Sequence, residues 1–287
     1  MGFTPLPERY GRKTVDEWQP TPKGDAGQRH ARKPMVTGFT YQYPKTLTIT
    51  ESNTTERIYL FILPLGMQIS WLGISAVRIT TRPANEDVVV LCDPYDPHEV
   101  QAKRGKMVAD IVTVSVPEHP LHSATQEIRG RLEKPPFIID TPGECEVNGV
   151  IIYGVPAVNT VSAPHKKVTL YMIETEGLSL LHLGFLGQKT LTDAQLERFE
   201  HVDVLFVPVG DPASLEIHDA VAIVNQIEPR IVIPVAYHTA HIGVKLLGAE
   251  KFIKELGLEA DEPATKIKLA KKDLPAEETK LMLLEPE

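Results

Sequence analysis

From residue 67 onward the chain is cut into short β-rich runs, and this pattern limits the fold more than any other feature. Residues 67–71, 76–80, 88–92, 109–115, 137–140, 149–153, 168–174 and 179–183 each hold β-branched or aromatic residues between turn signals. Glu176-Gly177 predicts a tight turn joining the last two as a hairpin. The later third changes style. Helical segments at 191–199 (Thr190 or Thr192 as N-cap), 214–227 and 249–256 (closed by Gly257) alternate with buried strands at 202–207 and 230–235. In 214–227, Leu215, Ile217, Ala220, Val221, Val224 and Ile227 form one apolar stripe. Residues 266–269 and 280–284 alternate as edge-like strands. Strands first and strand–helix alternation later predict an α/β fold with mixed sheets.

Composition removes several classes. At 287 residues, 42% hydrophobic and 24% charged, the chain can bury a sizeable core and is not broadly disordered. No apolar run reaches the roughly 18 residues of a membrane span; the longest, near 58–67, contains Pro64 and Gly66. The N-terminus lacks the apolar stretch of a secretory signal, and Leu6 breaks the myristoylation pattern. Two cysteines, Cys92 and Cys145, cannot build a disulfide framework or a cysteine-rich zinc site. They are read as small buried packing residues, and a cytoplasmic or other reducing compartment is expected. There is no nucleophile elbow, P-loop or dinucleotide-binding glycine motif.

The net charge of −8 hides an asymmetry. Residues 1–45 hold eight Lys/Arg and four acids, with six prolines and five glycines, for a net charge of +4. The remaining 242 residues therefore carry −12. This predicts a basic, extended arm before an acidic body. Phe3, Tyr10, Trp18, Phe39, Tyr41 and Tyr43 make the arm too aromatic for a pure linker. Arg9, Arg12, Lys13, Arg29, Arg32 and Lys33 are its candidate partner-binding residues. They are suited to an acidic protein or a ribonucleoprotein assembly. The alternatives are a solubilising tail, or an arm lying on its own body. Residues 46–50 and 57–63 around a polar turn predict a β-hairpin over 46–66, which leaves 67–287 as the main domain.

Six segments carry the chemical argument when taken together. Trp71-Leu72-Gly73-Ile74-Ser75 precedes a strand, and Leu91-Cys92-Asp93-Pro94-Tyr95 ends one. Ala109 to Ser115 runs into Val116-Pro117-Glu118-His119-Pro120-Leu121-His122. Asp140-Thr141-Pro142-Gly143-Glu144, Leu181-His182-Leu183-Gly184-Phe185-Leu186-Gly187 and Ile233-Pro234-Val235-Ala236-Tyr237-His238 follow. Gly143 is read as a turn residue with positive φ. In this order the segments resemble the metallo-β-lactamase fold superfamily. The likeness is to its small zinc-dependent hydrolase branch related to ascorbate-6-phosphate lactonase, and it covers about residue 67 to the end. The resemblance implies an αββα sandwich of two mixed β-sheets with a metal site at one sheet edge.

The same resemblance implies ligands that this chain does not carry. Zinc wants about four N/O donors and a position for water, whose pKa it lowers toward ~7. The family's loop reads H-x-H-x-D-H. Here Pro117 stands at the first His and Leu121 at the Asp, while His119 and His122 match the second and last His. Registered from Ser115 instead, Val116 takes the first position and no ligand is regained. Asn159 falls at the later His, Phe185 at the Asp of H-L-G-D-L-G, and Ala236 at the final His before Tyr237. Asp93, which in the family mostly supports the loop, is retained.

The expectation is a degenerate site at Asp93, Pro117, His119, Leu121, His122, Asn159, Phe185 and Ala236. Phe185, Pro117 and Leu121 would make it apolar, and no catalytic residue, zinc or other cofactor is expected. The protein is then read as a non-hydrolytic binding or structural component. The alternative is a hydrolase with a reduced or relocated site on Asp93, His119, His122 and His238, with His241 a further candidate; zinc is its cofactor. His182 reads as structural, and Cys145 lacks a neighbouring base for nucleophilic work.

Overall fold

A computed structural model describes residues 66–287 apart from 101–106, 118, 133, 163–164, 241 and the side chain of residue 127. The expected arm, with Arg9, Arg12, Lys13, Arg29, Arg32 and Lys33, lies outside the described residues, as does the hairpin up to residue 65.

The short runs form two mixed sheets. The first holds β1 (Met67–Gly73), β2 (Ala76–Thr81), β3 (Val88–Cys92), β4 (Ile111–Thr113), β5 (Phe137–Ile139) and β12 (Ile267–Leu269), in the order β12-β1-β2-β3-β4-β5. The second holds β6 (Gly143–Val147), β7 (Val150–Asn159), β8 (Lys166–Thr175), β9 (Leu178–His182), β10 (Val204–Pro208), β11 (Ile231–Val235) and β13 (Lys280–Leu281), in the order β13-β11-β10-β9-β8-β7-β6. Antiparallel pairs in each sheet give way to parallel ones, at β3–β4 in the first and β9–β10 in the second.

Inward side chains of both sheets, among them Ile69, Trp71, Ile79, Val90, Ile152, Ile173, Phe206 and Ile233, make the central core. At about 25 cal/mol per Å² of apolar surface, this burial dominates the fold's stabilisation. A second core lies over the outer face of the second sheet. It is built from Leu181, Leu183, Leu205 and Val207 and from the apolar stripe Ile217, Ala220, Ile223, Val224 and Ile227 of α2 (Ile217–Ile227). The one-turn helix α1 (Asp193–Leu196) and α3 (Glu250–Leu256) complete that layer. Over the first sheet the covering residues, Tyr95, Val100, Met107, Ile128 and Ile242, come from loops among the described residues. Two mixed sheets face to face are the architecture that the resemblance implied.

Several boundaries moved. The helix expected at 191–199 is α-helical only over Asp193–Leu196, where Thr192 and Gln195 form a capping box. It then tightens into bonds three residues apart, from the Arg198 N–H to the Gln195 carbonyl at 3.0 Å and from Phe199 to Leu196 at 2.9 Å. The expected strand from 149 starts instead at Val150, because Asn148 (φ 52°) and Gly149 (φ 78°) form the turn after β6. Gly143 does have positive φ, at 151°, but it opens β6 rather than closing a turn. Cys92 is buried as expected, whereas Cys145, on the edge strand β6, is only half-buried.

Candidate functional site

The expected site residues sit where β3, β4, β7, β9 and β11 end. Asp93 follows β3 directly in a left-handed conformation (φ 44°) and is fully buried. Its backbone N–H donates to the Thr113 carbonyl at 2.9 Å, which ties the end of β3 to β4. Its carboxylate is almost wholly used. Oδ1 accepts from the Ser115 N–H at 2.7 Å, and Oδ2 accepts from Ser115 Oγ at 2.5 Å and pairs with His122 Nδ1 at 3.0 Å. Burial pushes this carboxyl up. The hydrogen bond and charge of His122, the charge of His182 and the Ser115 hydroxyl bond push it down further, so it ends below the ordinary carboxylate range. Serine and histidine both bond the carboxylate here. The order needed for a nucleophile, with histidine between serine and acid, is therefore not present.

Gly184 makes this packing possible. Its φ is +54°, and a Cβ there would come within 2.3 Å of Ser115 Cβ and 3.1 Å of Asp93 Oδ2. Only a residue without a side chain lets the loop after β9 lie against the Asp93–Ser115 pair.

The loop after β4 brings the two imidazoles together. The His122 and Ser123 N–H groups both donate to the His119 carbonyl at 2.9 Å, and the His119 N–H donates to Ser123 Oγ at 2.8 Å. His119 Nδ1 accepts from the Leu121 N–H at 3.3 Å. The His119 pKa is pulled down to about 4, by burial first and then by neighbouring His122 and Lys166, against the opposing pull of Asp93.

Phe185 completes a three-ring cluster. Its ring centroid lies 5.0 Å from that of His119 and 4.8 Å from that of His122, and the two imidazoles are 4.9 Å apart. It is 2% exposed and belongs to the same apolar cluster as Val116, Leu181 and Leu183. His122 Nε2 is buried with no hydrogen-bond partner among the described residues. A phenyl ring gives that nitrogen neither a lone pair nor a conventional donor or acceptor.

Asn159 is buried and its amide is fully committed. Nδ2 donates to the carbonyls of Phe185 at 2.9 Å and Ala213 at 2.8 Å, while Oδ1 accepts from the N–H groups of Val161 and Ser162 at 3.0 and 2.9 Å. Asn159 therefore fastens the Phe185 loop to the end of β7. Ala236 is buried in a left-handed conformation (φ 54°), with its N–H donating to the Ile74 carbonyl at 2.8 Å. His182 bonds the Ser75 carbonyl through Nε2 at 2.8 Å, which links β9 to the β1–β2 turn.

Three expectations are corrected. Pro117 is exposed, so it does not help to make the site apolar. Leu121 is half-buried and packs with Leu72 and Ile74 over the first sheet, away from the cluster holding Phe185. His238 is exposed and outside the ring cluster, with only its backbone N–H held, by the Leu247 carbonyl at 2.8 Å. His241 lies outside the described residues.

The resemblance implies a zinc centre here, and the side chains present can be tested against it. His122 Nε2 is buried without a hydrogen-bond partner among the described residues, and the His122 ring lies 4.8 Å, centroid to centroid, from that of Phe185. The remaining positions supply a committed amide, a methyl group and an exposed proline. Among the described residues, no three His, Cys, Asp or Glu side chains converge as a metal site would require. The residues do not fit a zinc centre of the implied kind. Sequence reasoning also missed an open groove of about 610 Å³ over β7 beside α1, lined by Tyr153, Val155, Val158, Gln188 and Arg198 among others. None of the expected site residues lines it.

The sequence matches the β-lactamase superfamily domain over residues 68–236, more than half of the chain. A crystal structure from Thermotoga maritima, reported as a candidate Zn-dependent hydrolase of the metallo-β-lactamase superfamily, superposes with a TM-score of 0.57 at 27% identity. The match covers 76% of this chain and 98% of that one. A metal-dependent hydrolase of Staphylococcus haemolyticus is 28% identical over 146 residues, covering 45% of this chain and 62% of its own length. A second, from Staphylococcus epidermidis, is 39% identical over 70 residues, covering 24% of this chain and 30% of its own. The chain thus spans less than two thirds of these curated relatives. Among the described residues, no helix is long and apolar enough to cross a membrane.

Proposed function

This chain belongs to the β-lactamase superfamily, and we propose that within it the protein acts as a non-hydrolytic binding or structural component that holds no catalytic zinc. One observation carries the reading: the Phe185 ring packs against both imidazoles that could have begun a metal site. A phenyl ring cannot coordinate, and placing it there favours a dry, apolar contact over a hydrated ion. The neighbouring polar groups support the same reading, because Asp93, Ser115 and Asn159 spend their hydrogen bonds on holding loops. The test is metal content. Protein purified without metal and then offered zinc should retain far less than one ion per chain, with no change in Tm. Stoichiometric zinc with a raised Tm would overturn the reading.

A second reading has its own support, in the names of the relatives. The two staphylococcal proteins are called metal-dependent hydrolases, and the Thermotoga structure is described as Zn-dependent. On that reading a reduced site on Asp93, His119, His122 and His238 still binds metal. It requires the exposed His238 to turn inward and Phe185 to leave. A variant series settles which reading holds. Zinc binding that is lost in His119→Ala and His122→Ala would favour the hydrolase, and binding absent throughout would favour the scaffold.

We propose further that the basic arm, through Arg9, Arg12, Lys13, Arg29, Arg32 and Lys33, docks the protein to an acidic protein or ribonucleoprotein partner in a reducing compartment. The charge split between arm and body supports this. Deleting residues 1–45 should abolish co-sedimentation with the partner and leave circular dichroism of the domain unchanged. Undiminished co-sedimentation would remove the arm from the account.

A further inference from the structure

The open groove of about 610 Å³ beside α1 shares no residue with the ring cluster. Its volume falls within the range of about 300–1,000 Å³ that small ligands occupy. On the β7 side it is lined by Tyr153, Val155 and Ala157, which belong to the apolar core of the second sheet's outer face. Most polar groups around it are already committed. Gln195 is only 6% exposed; its Nε2 donates to the Pro156 carbonyl at 2.8 Å, and its Oε1 accepts from the Thr192 N–H at 2.9 Å and from Gln188 Nε2 at 2.8 Å. Gln188 Oε1 accepts from the Val158 N–H at 3.3 Å, and the Val158 carbonyl accepts from the Gly187 N–H at 3.4 Å. These bonds use up the edge of β7 beyond its pairing with β6, so an added strand finds no backbone partner there.

Three side chains lining the groove, those of Arg198, Glu144 and Tyr153, have no hydrogen-bond or ion-pair partner among the described residues. Glu144 faces Tyr153 across the β6–β7 pair. Burial first, then Glu174 and Glu144, push the Tyr153 hydroxyl pKa up, against the opposing pull of Arg198. A cation and a carboxylate thus act on one ring without pairing with each other. Past that ring the groove is apolar, along Val155, Ala157 and Val158.

We propose that this groove binds an apolar α-amino acid. The carboxylate lies on Arg198, whose planar guanidinium suits it, and the ammonium lies on Glu144. The side chain lies along Val155, Ala157 and Val158. Charge complementarity selects this occupant. A simple organic anion on Arg198 meets Glu144 and Glu174 without offering them a cation, and a simple cation on Glu144 leaves Arg198 unpaired. A ligand with both charges on one carbon and an apolar remainder matches all three parts of the groove. Because the groove and the ring cluster share no residue, the inference stands or falls apart from the metal question.

Isothermal titration calorimetry of the full chain with L-phenylalanine tests this, with circular dichroism confirming that each variant is folded. Phenylalanine should bind saturably at a single site. Its amide and its N-acetyl form should each bind roughly fivefold more weakly, the worth of one ion pair at an exposed rim. Arg198→Gln should erase the preference over the amide, and Glu144→Gln the preference over the N-acetyl form. Ala194→Trp, at an exposed α1 position lining the groove, should block binding with both charges intact. No saturable binding by the wild type would overturn the proposal. So would blocked forms that bind as tightly as the free amino acid, or preferences that survive both charge substitutions. Undiminished binding by Ala194→Trp would put the ligand elsewhere and overturn it too.

Discussion

Where the strands end, the first sheet contributes Asp93 and Ser115 and, through the loop that follows, His122. The carboxylate, the Ser115 N–H and hydroxyl, and His122 Nδ1 bond one another in a buried polar network, which leaves His122 Nε2 without a partner among the described residues. The second sheet contributes Phe185 to the same place, a phenyl ring packed against both imidazoles. The two halves meet at the imidazoles of His119 and His122. A polar network whose partners are all internal keeps its purpose without a metal, because it fixes the end of β3 and the loop after β4. Donors that face a metal have no such second purpose, and here that half presents apolar surface. Retained polar residues near a site are therefore weak grounds for retained chemistry; the residue facing them decides.

The largest expected effect comes from the apolar half. Phe185→Ala should cost about 3–5 kcal/mol in chemical denaturation, as a buried aromatic ring is removed. A cost close to zero would mean that the ring is not packed against the imidazoles, and the contrast between the halves would fail. In the polar half, Asp93→Asn should cost about 1–3 kcal/mol, since His122 Nδ1 and Ser115 lose a charged acceptor at a buried site. Added zinc should offset neither loss. Gly184→Ala joins the halves by strain. A Cβ in a left-handed backbone against Ser115 should cost about 1–3 kcal/mol, and Ser115→Gly should relieve part of it.

The contrast also shows in the pH dependence. His119 takes up a proton near 6.5 in the unfolded chain but only near 4 when folded. Between those values the unfolded chain binds more protons, so stability should fall as pH falls across that window. His119→Gln should flatten that part of the profile. At lower pH, stability should drop again as the depressed Asp93 carboxyl is protonated, a step that Asp93→Asn should remove. Denaturation midpoints measured from pH 7 to pH 3 check both steps.

Much of the fold was legible because hydrophobic alternation and turn chemistry act locally. Val88–Cys92 was bounded to the residue, and Glu176-Gly177 turned where expected, with both residues at positive φ. The miss at β6 was avoidable: Asn148-Gly149 is a strong two-residue hairpin signal, and a strand had to precede it. The truncation of the helix at 191–199 was not legible, because capping and tertiary packing decide where a short helix tightens.

At the site, sequence placed Asp93, His119, His122, Asn159 and Phe185 correctly in one region. It could not show that Pro117 faces solvent, that Leu121 packs against the other sheet, or that His238 is exposed. Those outcomes depend on how loops lie across strand ends, which no local pattern encodes. Nor could it foresee that Asn159 fastens the Phe185 loop, since that role appears only when Ala213 and Gly187 close around its amide.

The most direct test is a crystal structure of the full chain grown with zinc present, with anomalous diffraction recorded at the zinc edge. The account predicts the Phe185 ring seated against His119 and His122, and no anomalous peak bonded to either imidazole. A peak within coordinating distance of both, with Phe185 turned away, would contradict it.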